Sequence, residues 1–105
     1  MTLQEKQAPI DAAIVRAMIS ATPETWQAIQ VVAFREANAT VESVRIEIAS
    51  PEGHHDLVAP TEELQDALLD LLSVFNQHGS PWRKVEYQAS VGADGNWRFA
   101  ADFAY

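Results

Sequence analysis

The chain has 105 residues, 48% of them hydrophobic and 21% charged, which fits one globular domain and excludes an intrinsically disordered chain. The absence of cysteine excludes disulfides, thiolate catalysis, Cys-ligated zinc and iron–sulfur clusters. Fifteen acidic against seven basic residues give a formal net charge of −8, the wrong sign for binding nucleic-acid phosphates.

Met1 to Pro9 read as a polar tail without the apolar run of a signal peptide, ahead of a single domain over residues 10–105. No stretch approaches the roughly 18 apolar residues of a membrane span, so the expectation is a cytoplasmic protein with no membrane partner. Ile10, Ala13, Ile14, Ala17, Met18 and Ala21 recur at three- and four-residue spacing and predict a helix. Pro9 suits its first turn, and Thr22-Pro23 ends it, because proline disfavours helical geometry in the residue before it.

Trp26 to Glu36 is rich in β-branched and aromatic residues and predicts a strand. Its two faces, Ile29, Val31 and Ala33 on one and Trp26, Val32 and Phe34 on the other, are both apolar, as in a strand buried near a sheet centre. Ala37-Asn38-Ala39-Thr40 reads as a turn into a second strand, Val41 to Ala49, where Val44, Ile46 and Ile48 alternate with polar residues. Ser50-Pro51-Glu52-Gly53 is a turn by residue type, and a short third strand is expected from His55 to Ala59.

Thr61 to His78 predicts a second helix, with Leu64, Ala67, Leu68, Leu71, Leu72 and Phe75 as its apolar stripe and Gly79-Ser80-Pro81 as its stop. A hairpin follows, turning at Asp94-Gly95. Arg83, Val85, Tyr87, Ala89 and Val91 share one face of its first strand; Trp97, Phe99, Ala101, Phe103 and Tyr105 share one face of its second. The expected fold is α+β: an antiparallel sheet of about five strands with two helices on one face, in the order α-β-β-(β)-α-β-β.

The charge is not spread evenly. Residues 1–35 and 82–105 each sum to zero, and residues 36–70 hold nine acids against Arg45 alone, so this middle third carries the entire −8. Folded together, such a block projects a field that steers a basic partner, although a solvated face that keeps the protein soluble is the plainer reading.

Residues with chemical potential are sparse. His54-His55-Asp56 has metal-ligand residue types, but adjacent side chains on a strand point to opposite faces, and no metal-binding spacing accompanies them. His78 is placed to interact with the negative end of a helix rather than with an ion. No serine stands in a nucleophile elbow or an S-x-x-K arrangement, and no glycine-rich loop cradles phosphate. No catalytic residue, metal or cofactor is assigned, and the expectation is a non-enzymatic protein. Trp97 shares a face with Phe99 and Phe103 and reads as core. Counting the alternation back from Lys84, Glu86 and Gln88 places Trp82 on the polar face, where it reads as a binding anchor.

The helix-to-strand junction Thr22-Pro23-Glu24-Thr25-Trp26, the helix from Leu64 to Phe75, Pro81-Trp82, Asp94-Gly95-Asn96-Trp97-Arg98-Phe99 and the closing Asp102-Phe103-Ala104-Tyr105 together resemble the YezG-like family of bacterial immunity (antitoxin) proteins. The resemblance spans residues 10–105 and rests on order and spacing more than on any single motif. Trp97 departs from the phenylalanine commoner at that place. The resemblance implies a small cytoplasmic protein that neutralises a cognate toxin, often a nuclease, by direct binding. It transfers no catalytic residue.

An acidic inhibitor can occupy the basic surface that a nuclease must present to phosphates, so the charge reading and the resemblance agree. The partner-binding residues selected on this basis are Glu47, Glu52, Asp56, Glu62, Glu63, Asp66 and Asp70, with Trp82 as apolar anchor. The competing readings are a chaperone-like adaptor for a secreted substrate, a class that is typically dimeric and needs an apolar groove, and a small-ligand-binding domain, which needs an enclosed pocket.

Overall fold

A computed structural model of the protein describes residues 3–37, 42–54, 56, 58–79 and 82–105. Along the chain lie α1 (Leu3–Ser20), β1 (Ala28–Ala37), β2 (Glu42–Ala49), α2 (Glu62–Gln77), β3 (Lys84–Val91) and β4 (Trp97–Ala104). The fold is α+β, and among the described residues four strands form one antiparallel sheet ordered β2-β1-β3-β4. The turn expected at Asn38 to Thr40, Val41, His55 and the stop at Ser80-Pro81 lie outside the described residues.

Helix α1 starts at Leu3, six residues ahead of the proline expected to open it. Pro9 is therefore interior, and the helix forgoes one i→i−4 bond there. At the other end Thr22 acts as expected: its hydroxyl donates to the carbonyl of Met18 at 3.0 Å, and Pro23 prevents continuation. Helix α2 is opened by Thr61, whose hydroxyl accepts from the Leu64 N–H at 3.2 Å, with Glu62 and Glu63 in the first turn complementing the positive helix end. Its exit uses Gly79 at φ +76, a conformation glycine adopts without steric cost.

One face of the sheet carries the core. Ile29, Val31 and Ala33 of β1, Val44 of β2, and Val85, Tyr87 and Ala89 of β3 are buried with Ile14, Ala17 and Met18 of α1 and the whole stripe of α2. Both helices lie on this face. The Tyr87 hydroxyl reaches Asp11 of α1, and the Phe103 ring stacks on Phe75 of α2 with centroids 4.9 Å apart. The β3–β4 hairpin closes through the five residues from Gly92 to Asn96, in which the Gly92 N–H donates to the Asn96 carbonyl and the Gly95 N–H to that of Gly92.

Two expectations are corrected. Of the third strand expected from His55 to Ala59, His55 and Leu57 lie outside the described residues, and Asp56, Val58 and Ala59 pair with no strand, Asp56 turning back to Trp26 instead; among the described residues the sheet therefore has four strands and not five. The second face of β1 is also not sandwiched. Val32 and Phe34 are half-buried on an open face, where Arg45 from β2 and Lys84 from β3 lie over the Phe34 ring at 4.5 and 5.7 Å from its centroid. Long cationic stems from both neighbouring strands take the place of a second layer.

Candidate functional site

The outer surface of the helical pair holds a groove of about 460 Å³ lined by Ala13, Arg16, Ala17 and Ser20 of α1 and Glu63, Asp66, Ala67 and Asp70 of α2. Its construction follows from helical geometry. Alanines at 13 and 17, one turn apart, let α1 approach α2 at Ala67, so small side chains form the floor. Glu63, Asp66 and Asp70 follow at spacings of three and four, which aligns three exposed carboxylates along one wall. Among the described residues none of the three makes an ion pair, and Arg16 is the one cation lining the groove.

The structure thus brings together Glu63, Asp66 and Asp70 from the residues selected on sequence. Glu62 is exposed in the first turn of α2 and does not line the groove. The others are engaged elsewhere. Glu47 lies on β2 with its carboxylate 3.7 Å from Arg45. Glu52 accepts the backbone N–H of Gln27 at 2.8 Å and lies 3.5 Å from the His54 imidazole. Asp56 accepts the indole N–H of Trp26 at 2.9 Å, and His54 stacks on that indole with centroids 5.9 Å apart. Glu52 and Asp56 therefore fasten the 50–56 loop to the entry of β1. Trp26, 3% exposed, is the post to which the loop is tied.

This loop gives a direct prediction. Asp56→Ala leaves the Trp26 indole N–H without its acceptor and is expected to cost about 1–2 kcal/mol, whereas Asp56→Asn keeps an acceptor and stays within about 0.5 kcal/mol of wild type. Urea unfolding of the three proteins checks it. Equal destabilisation by both substitutions would show that the carboxylate charge, and not the hydrogen bond, is what the loop uses.

Trp82 requires a correction. It is 0% exposed and packed in the core, so it is no surface anchor. It precedes the first paired residue of β3, Lys84, and the strand alternation used to place it does not reach that far back. Its indole N–H meets no acceptor among the described residues. Trp97, read as core, is half-buried against the core from β4.

Arg16 and the alanine floor were not singled out from sequence. The only signal was the small-residue pair at 13 and 17, and it acquires meaning once α1 and α2 are known to be neighbours. Among the described residues no group of three or more His, Asp or Glu side chains could hold a metal, and no helix is long and apolar enough to cross a membrane.

Two ionisable groups outside the groove are held away from their ordinary behaviour. The Glu86 carboxyl is lowered by hydrogen bonds from Gln30 and Gln88 on the open sheet face. In the hairpin loop Asp94 is lowered by the backbone and side-chain N–H groups of Asn96, with Arg98 adding a contact at 2.8 Å. Both are local fastenings of the sheet. In comparisons with known proteins, no family model matches the chain and no curated protein matches it.

Proposed function

We propose that this protein is an acidic binding protein of the immunity (antitoxin) type, which neutralises a basic toxin domain such as a nuclease by direct protein–protein contact, as the resemblance to the YezG-like family implies. The observation that carries the reading is the α1/α2 groove, where Glu63, Asp66 and Asp70 line one wall above a floor of alanines. Carboxylates without intramolecular partners keep their full attraction for an incoming cation, and a floor without long side chains lets a partner's arginine or lysine approach closely. The remaining acids enlarge the long-range field that steers encounter.

The alternatives find less support. A chaperone-like adaptor needs an extended apolar groove, and the exposed large hydrophobic side chains among the described residues are Phe99 and Tyr105, at one sheet edge. A small-ligand domain needs an enclosed pocket with convergent polar groups, and the α1/α2 groove is an open surface channel.

The test is recovery of partners from a lysate of the native host on immobilised full-length protein, in three forms. Wild type and E24K/E36K/E47K are expected to retain the same basic protein, and E63K/D66K/D70K, with the same net charge as the second form, is expected to lose it. Retention by all three forms, or capture of partners without a basic domain, would overturn the proposal.

A further inference from the structure

Among the described residues no strand pairs with the outer edge of β4, and its composition is unusual for an edge. The Gly92 N–H donates to the Asn96 carbonyl across the hairpin, and antiparallel bonding alternates along the ladder, so Arg98, Ala100 and Asp102 point their backbone groups at β3. The N–H and C=O groups of Phe99, Ala101 and Phe103 therefore face outward, beyond the sheet. Edge strands are usually blunted by proline, lysine or a covering element. Strand β4, WRFAADFA, has neither residue; of the exposed large hydrophobics, Phe99 (46%) lies on it and Tyr105 (63%) directly follows it.

We propose that β4 is a homodimer interface: two copies pair antiparallel across a two-fold axis at Ala100, extending the four-stranded sheet to eight. The sequence of β4 is self-complementary in this register and in neither neighbouring one. Arg98 falls opposite Asp102 of the second copy, and Asp102 opposite its Arg98, giving two ion pairs on the open face. On the helix face Trp97 falls opposite Phe103 of the second copy and Phe99 opposite its Ala101, a large ring across a small residue. The outward backbone groups of Phe99, Ala101 and Phe103 then occupy the hydrogen-bonding positions.

Sliding by two residues in one direction sets Arg98 against Ala104 and Asp102 against Ala100; in the other it sets Arg98 against Ala100 and Asp102 against Asn96, and in both the charges lose their partners. Arg98 already contacts Asp94 at 2.8 Å, but that pair is exposed and does not compete strongly. Charge also selects the occupant. Residues 82–105 carry no net charge although the protein carries −8, so the pairing segment adds no repulsion of its own to that between two acidic copies and holds no surplus of acid to attract a basic partner.

Sedimentation equilibrium of the full chain at about 0.1 mM, where a complex with a micromolar Kd is populated, reads the outcome. The expected mass is twice the monomer's 11.6 kDa. Arg98→Glu places like charges opposite each other twice per dimer and is expected to weaken association by about tenfold or more. The exchange R98D/D102R restores the pairs with reversed polarity and is expected to restore the dimer, which separates lost pairing from misfolding. A monomeric wild type, or a dimer indifferent to Arg98→Glu, would overturn the proposal, as would a failure of the exchange to rescue a folded variant.

Discussion

Replacing Phe75 with alanine is expected to destabilise the protein by about 3–5 kcal/mol, a large share of the roughly 5–15 kcal/mol that holds a domain together. Phe75 is 2% exposed at the last turn of α2 and stacks on Phe103 of the edge strand. Truncation removes the transfer free energy of the ring and leaves a cavity that β4 must collapse into or expose. The Phe103 ring loses its helix-side partner at the same time, so hydrogen exchange should accelerate in β4 more than in β1, which is paired on both sides. Urea denaturation with amide exchange measures both. A loss below about 1 kcal/mol would mean that α2 does not seat on the hairpin through this residue.

Tyr87 gives the second large effect and a pH signature. Its ring is 0% exposed, and its hydroxyl donates to Asp11, which also accepts the Gln7 amide. Tyr87→Phe removes a hydrogen bond to a carboxylate, leaves Asp11 without its donor from the sheet, and is expected to cost about 1.5–3 kcal/mol. Burial, reinforced by the donation to Asp11 and by that residue's charge, holds the Tyr87 hydroxyl well above its ordinary value of 10.0. Its folded pKa is raised, so above about pH 10 the unfolded state releases this proton and the folded state keeps it. The stability is complete below that pH and falls above it by up to about 1.4 kcal/mol per pH unit for this one group. Melting curves between pH 8 and pH 11 should show a steeper alkaline decline for wild type than for Tyr87→Phe. Parallel declines would contradict the assignment.

The periodic elements were legible in the sequence because their cause is local. The α2 stripe, the Thr22-Pro23 stop and the Asp94-Gly95 hairpin depend on spacing and turn chemistry within a few residues, and each is present. What failed depended on partners distant in sequence. Alternation assigned Trp82 to a polar face, but the strand begins two residues later and the ring turns into the core. The apolar second face of β1 implied a covering layer, but side chains of Arg45 and Lys84 cover Phe34 instead. The segment after Gly53 has strand-like residues, yet Asp56 is drawn to an indole thirty positions earlier, and among its described residues no ladder forms.

The acidic block shows the same division. Its composition was readable, and its geometry was not. Residues 36–70 hold the net charge, but the fold distributes them over the end of β1, the edge strand β2, a fastened loop and a helix. Glu52 and Asp56 are used in holding the loop, and Glu47 lies beside Arg45. Helix α2 leaves Glu63, Asp66 and Asp70 aligned against α1, a juxtaposition that required knowing which helix is its neighbour. A count of acids overstates the surface available to a basic partner, and the groove narrows it to three.

The central claim is that these three carboxylates receive a basic protein, and the most direct measurement is the association rate of the partner recovered from the native host as a function of ionic strength. For wild type the rate should fall steeply with salt, and for E63K/D66K/D70K it should be lower by about tenfold or more at low salt and nearly flat across the range. E24K/E36K/E47K, with the same net charge, should lose part of the long-range steering but keep a clear fall of rate with salt, and associate faster than the groove variant at low salt. Equal rates and equal slopes for the groove variant and wild type would contradict the account.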